Sequence, residues 1–198
     1  MHKGNLLKYL SGTLLLFVMA SADAALIDRS GGFIYDDVLD ITWAQDANIN
    51  GWDTWDNQIA WAASLSLYDS VRDVTWDDWR LPTALNGDGS DPCSGAGCTG
   101  SEMSHLYNVD GITPLSMSPF TNVQSSYYWS GTVYVPNPNV AWHFNFIEGE
   151  QLANAKTSGF YAFAVRDGDV AAIPVPATVW LLGSALGGLG WLRGRRTV

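Results

Sequence analysis

Apolar and polar positions change their period several times along the chain. Phe33-Ile34-Tyr35 and residues 39–43 are short apolar runs of strand type, joined by an Asp-rich turn. From 54 to 65 the period lengthens. Trp55, Ile59, Ala62 and Ala63 fall at helical spacing, and Asp53 or Thr54 can cap the start. Residues 73–82 lead into an extended segment at Trp79-Arg80-Leu81-Pro82. Residues 84–100 read as a Gly/Asp/Ser loop holding both cysteines. A short helix is predicted over 102–107, with Met103, Leu106 and Tyr107 on one face. The second half reads as strands. Residues 127–130 are aromatic and stop at Gly131. Across 141–146, Trp142, Phe144 and Phe146 alternate with His143 and Asn145. Glu148-Gly149 makes a turn from which Gln151-Leu152-Ala153 returns as a hairpin, and 160–166 is a final core strand. Helices early and strands late predict an α+β, loop-rich domain.

The two ends break this pattern. Lys3 and Lys8 precede an apolar run over 14–20, and Ala22-Asp23-Ala24 is a small-x-small site. This predicts a signal peptide at 1–24 and a mature start near Ala25. At the other end, 177–192 is a 16-residue stretch without a charge, followed by Arg193, Arg195 and Arg196. Its length is marginal for a membrane-spanning helix, and the arginines would stay on the cytoplasmic side.

The tail resembles the PEP-CTERM sorting signal of Gram-negative bacteria. The resemblance rests on Pro174-Val175-Pro176-Ala177, the Leu/Gly-rich stretch and the Arg tail, in that order, over 173–198. Val175 stands where the namesake motif usually has Glu. The resemblance implies recognition by exosortase, a membrane-embedded cysteine protease. It also implies a transient inner-membrane intermediate and delivery to the cell surface or extracellular matrix. The logic parallels the GPI signal, where a hydrophobic tail is an address.

Composition and charge sharpen once the ends are set aside. The 198 residues carry 10 Lys+Arg against 20 Asp+Glu, for a net charge of −10, with 13% aromatics and 10 Trp. An acidic disordered tail would lack those rings. No basic footprint for nucleic acid exists, and the length argues against a multi-domain enzyme. Residues 25–172 hold nineteen acidic and five basic side chains, a net charge of −14.

The core resembles the Lcl C-terminal-like domain family. The markers in order are Ile41-Thr42-Trp43, Trp61 to Leu65, Asp78-Trp79-Arg80-Leu81-Pro82-Thr83, Glu102-Met103-Ser104-His105-Leu106, Tyr128-Trp129-Ser130-Gly131-Thr132, Ala141 to Phe146 with Trp142, and Ala164-Val165-Arg166-Asp167-Gly168. The resemblance implies a mixed fold similar to C-type-lectin-like and formylglycine-generating-enzyme-like domains, with Trp-centred packing. Adhesin members of the family are associated with sulfated polysaccharides. A core at −14 would repel a polyanion, so neutral polysaccharide is the expected ligand class.

Several residues are candidates for chemistry. Cys93 and Cys98 are expected to form a disulfide in an exported protein. Zinc on these cysteines would need two further ligands, and only His105 is close. Asn86, Asp88, Ser90 and Asp91 place oxygens at alternating positions, as a calcium loop does, without the later bidentate Glu of an EF-hand. Trp52, Trp55, Trp76 and Tyr127 are candidates for a sugar-stacking platform, with core packing as the alternative. Arg80 and Arg166 sit in aromatic segments where arginine pairs with carboxylates or carbonyls, and Asp78 and Asp167 are near in sequence. His105 and His143 have no adjacent nucleophile motif, and neither Gly-x-Ser-x-Gly nor His-Glu-x-x-His is present. The expectation is a non-enzymatic surface protein that binds carbohydrate. The alternative is a structural or protein-interaction component of the matrix.

Overall fold

The computed structural model describes residues 26–170. The predicted signal peptide and the sorting tail, with Pro174, Val175, Pro176, Ala177, Arg193, Arg195 and Arg196, lie outside the described residues. Among the described residues no helix is long and apolar enough to cross a membrane.

The fold is mostly β, loop-rich, with two short helices. One sheet has the order β1-β2-β3-β12, built from β1 (Leu26–Asp28), β2 (Phe33–Asp36), β3 (Ile41–Ala44) and β12 (Val165–Asp167), all pairings antiparallel. The β2–β3 hairpin is the Asp-rich turn read from sequence. The Asp36 carboxylate accepts the backbone N–H groups of Val38 and Leu39, and Asp40 takes the left-handed conformation that Asp tolerates.

The second sheet has the order β7-β10-β9-β8, with β7 (Gly95–Ala96), β8 (Tyr127–Val133), β9 (Val140–Asn145) and β10 (Glu150–Ala155). The predicted hairpin is present, with Gln151 opposite Phe144. β9 is flanked by strands on both sides and every residue from Ala141 to Asn145 is buried. Its alternation therefore separates two buried faces rather than an inner and an outer one. Phe144 and Phe146 enter the main core, while His143 packs against Trp129 and Phe160.

Three minor strand features complete the architecture. β4 (Asp53–Thr54) pairs with β11 (Gly159–Phe160), and β5 (Leu67–Asp69) pairs with β6 (Val74–Trp76). The apolar run over 160–166 is thus not one strand, which corrects the sequence-based expectation. Phe160 pairs with Asp53, and Val165 pairs with Trp43 in the first sheet. The chain between them crosses from one partner to the other.

Helix α1 (Trp55–Ser64) starts at Thr54, which caps by position but makes no side-chain cap bond. Asp53 instead accepts from the Thr54 N–H and from Asn57. The buried residues of α1 are Gln58 and Ala62, while Ala63, which shares the helical spacing in the sequence, is exposed. Helix α2 (Glu102–Asn108) opens on a capping box between Ser101 and Ser104. The Cys93–Cys98 disulfide is present. Its loop is not a free one: Gly95 and Ala96 form the edge strand against β10, and Cys98 is buried.

The two main sheets meet through aromatic rings. Trp43, Phe120, Phe163, Tyr128 and Phe146 form a chain of edge and tilted contacts with centroids 5.0 to 6.2 Å apart. Such pairs contribute roughly 0.5–1.5 kcal/mol each beyond the area they bury.

Candidate functional site

The antiparallel bridge between Arg80 and Val165 joins the two most motif-like segments, with backbone bonds of 2.8 and 2.9 Å. Each arginine takes a carboxylate from the opposite segment. The Arg166 guanidinium forks onto both oxygens of Asp78, each at 2.8 Å, and lies 4.2 Å over the Trp76 ring. Those bonds hold the Asp78 carboxyl below the usual carboxylate range. Arg80 donates to both oxygens of Glu102, at 2.9 and 2.7 Å, and to Asp167. Glu102 also accepts the Thr83 N–H at 2.7 Å. Trp79 is buried against Phe33 and donates its indole N–H to the Trp76 carbonyl. Trp129 and Trp142 are buried as well, so the three tryptophans pack while Arg80 and Arg166 form ion pairs.

Arg80, Thr83, Asn86, Glu102 and Asp167, with Leu39 and Leu85, also line a groove of about 390 Å³. A separate trough of about 330 Å³ runs along Leu85, Pro92, Tyr134, Val135 and Trp142, with Val135 almost fully exposed.

Three of the four candidate platform rings gather around Phe160. Trp52 meets Phe160 and Tyr161 edge-on at 5.7 and 5.3 Å. Tyr127 tilts against Phe160 at 5.1 Å, and Trp55 packs on the same cluster. They differ in what they offer to solvent. Trp52 is 54% exposed. Trp55 is partly buried, covered by the Lys156 ammonium at 3.9 Å, and bonded through its indole N–H to the Ser130 carbonyl. Tyr127 is wedged between His143 and Phe160. Trp76 belongs to a different cluster, beneath Arg166.

The Trp52 ring is held in place. Its indole lies so close over Gly159 that a β-carbon there would overlap it. The loop before it is tied down by Gln58, a fully buried amide on α1. Gln58 accepts from Asn50 at 3.0 Å and donates to the carbonyls of Gly51 and Phe160 at 2.9 and 3.0 Å. A rigid exposed ring loses little freedom on binding, which favours recognition. Sequence reading missed Gln58 because a polar residue inside a helical stripe looks like a solvent position.

The Asn86–Asp91 loop closes on itself. The Asn86 amide donates to Ser90 Oγ at 3.0 Å and to the Asp91 carbonyl at 2.7 Å, and Asp88 accepts the Ser90 N–H at 2.9 Å. Among the described residues, the His, Cys, Asp and Glu side chains that could share an ion are a different set: Asp36, His105 and Asp110. His143 is buried among rings, and that desolvation pushes its pKa down to about 4, so the imidazole is neutral.

The chain matches no family model, no curated protein and no solved structure.

Proposed function

We propose that the protein is an exported, non-enzymatic component of the cell surface or extracellular matrix that binds neutral carbohydrate on the face around Trp52. The observation that carries this reading is the exposed indole of Trp52, fixed over Gly159 and buttressed by Phe160 and Tyr161. Flat apolar faces of this kind stack on sugar rings, and the neighbouring Asn50, Asp53 and Asn57 can bond hydroxyls. The resemblance of the core to the Lcl C-terminal-like family, and through it to C-type-lectin-like folds, supports carbohydrate as the ligand, and the net charge of −14 over 25–172 favours a neutral one. The PEP-CTERM-like tail supports exosortase processing and export.

A second reading, a matrix component that contacts other proteins, draws on the trough beside Val135 and Pro136.

Affinity electrophoresis of the full chain through neutral and sulfated polysaccharides, with and without Ca²⁺, tests the first reading. Retardation by a neutral polymer that Trp52→Ala abolishes is the expected result. No retardation by any polymer, together with concentration-dependent self-association, replaces it with the second.

A further inference from the structure

Three ligand-type side chains from two distant parts of the chain converge in the interior with unpartnered atoms. Asp36 ends β2, His105 lies on α2, and Asp110 follows that helix. Their ligand atoms all lie within 4.8 Å of one another. Asp36 Oδ2, His105 Nε2 and Asp110 Oδ2 are each buried without a hydrogen-bond partner. Asp36 is 1% exposed, and the Asp110 side chain 3%. Buried carboxylates and imidazoles are normally paired, because a desolvated polar atom without a partner costs free energy. Unpartnered buried atoms on three ligand-type side chains this close together point to a shared cation.

Local structure holds each group for that role. The other oxygen of Asp36 is occupied by the Val38 and Leu39 N–H groups, which fixes the carboxylate and leaves Oδ2 free. The Asp110 N–H bonds back to the His105 carbonyl at 3.1 Å, which folds the chain after α2 so that the two side chains lie together. His105 Nε2 and Asp110 Oδ1 are 3.7 Å apart, too far for a hydrogen bond. That separation is close to the span of about 3.3 Å between two ligands on a tetrahedral ion with bonds near 2.0–2.1 Å.

We propose that Asp36, His105 and Asp110 bind one divalent transition-metal ion, with Zn²⁺ the fitting occupant. One neutral imidazole and two carboxylates match its charge of two and its borderline-soft preference for mixed N and O ligands. A calcium ion would want six to eight oxygens and no imidazole. Three protein ligands leave a fourth position for water. A cation between two buried carboxylates offsets the repulsion of their like charges.

The test uses the full chain, stripped with a chelator and dialysed against Zn²⁺, Ca²⁺ or Co²⁺ alone. Metal content is then read by mass spectrometry and the fold by thermal melting. We expect one Zn²⁺ per chain, a rise in melting temperature with Zn²⁺ and none with Ca²⁺, and visible tetrahedral Co²⁺ absorption. Asp110→Asn and His105→Gln should each cut Zn²⁺ retention at least tenfold, while Asp91→Asn in the 86–91 loop retains it. No bound Zn²⁺ and no Co²⁺ spectrum in the unmodified chain overturns the site. So does undiminished retention in both ligand variants. The Co²⁺ spectrum is taken on the unmodified chain, so the site can be accepted or rejected even where a variant fails to fold.

Discussion

Asp78 and Arg166 form a two-bond fork at 2.8 Å across the bridge that joins residues 80 and 165, while Arg80 reaches the other way to Asp167. The two arginines exchange partners across the bridge, and the crossed pairs staple the Trp79 segment to β12. Arg166 is nearly buried and one of its terminal nitrogens already lacks a partner, whereas the Asp78 side chain is 53% exposed. Asp78→Asn should therefore cost only about 1 kcal/mol, since water screens the exposed partner. Arg166 holds the Asp78 pKa below its ordinary value, so the contribution is present above about pH 4. It disappears as pH falls through the depressed value. Urea midpoints of the two proteins should differ near pH 7 and converge in acid. A difference independent of pH would remove the charge pair as its cause.

His143 gives a pH dependence of different origin, from a buried neutral group rather than a charge pair. Its folded pKa near 4 lies below the ordinary 6.5, so the unfolded chain takes up the proton first as pH drops. Its stabilising contribution is complete above about pH 6.5 and is lost between there and pH 4. At about 1.4 kcal/mol per unit, the loss is on the order of 3 kcal/mol. His143→Phe fits the surrounding rings of Tyr127, Trp129 and Phe160 and removes the titration. The stability difference, variant minus wild type, should grow in favour of the variant from pH 7 to about pH 4.5. A flat difference would mean that His143 is already solvated.

Both arginine pairings illustrate how far the sequence reaches. That Arg80 and Arg166 need carboxylates follows from charge in an aromatic segment, but Glu102 as the partner of Arg80 does not. It requires α2 to dock beside the 80–83 segment. Local periods are legible because they depend on near neighbours, so both helices and the β9–β10 hairpin fall where their patterns put them. The break after Phe160 is not legible. A continuous buried run looks the same whether one strand or two different partners bury it. The Asp36, His105 and Asp110 set is hidden for the same reason, since β2 and α2 meet only in the folded chain.

The disulfide loop offers a test of local against global order. Cys93 and Cys98 close a small loop, so the bond should contribute near the low end of roughly 2–4 kcal/mol. Its removal should loosen β7, which lies between the two cysteines, while Gln151 still reaches the Ala84 carbonyl. Replacing both cysteines by serine should lower stability by about 2 kcal/mol with the far-ultraviolet spectrum unchanged. Amide exchange should accelerate where 95–96 pairs with 150–151. Global loss of the spectrum would assign the bond to the core instead.

Gly159 is required by the close approach of Trp52 rather than by an unusual backbone angle. Gly159→Ala forces the indole off its seat, while the Gly159 pairing with Thr54 is backbone and survives. Stability should change by about 1 kcal/mol or less for the exposed ring. Retardation by neutral polysaccharide should fall as far as in Trp52→Ala. Tryptophan emission should shift to the red as the ring leaves Phe160 and Tyr161. Full binding in the alanine variant would separate Trp52 from recognition.

Gln58 acts on the same ring from beneath. Its amide satisfies Asn50, Gly51 and Phe160 at once, so it fixes the 50–53 loop to β11. Gln58→Leu preserves the approximate volume but leaves two carbonyls and one amide without partners inside the protein. The cost should be about 1–3 kcal/mol for each group that water cannot reach. Asn50 and Gly51 sit near the surface and can rehydrate, whereas the Phe160 carbonyl bonds to Gln58 in the interior. One such penalty is therefore expected, readable as a lowered urea midpoint with an unchanged slope. The freed loop should also weaken polysaccharide binding through faster release rather than slower association, because the Trp52 face survives while its order is lost. Unchanged release in a folded Gln58→Leu protein would show that the loop holds Trp52 without the amide.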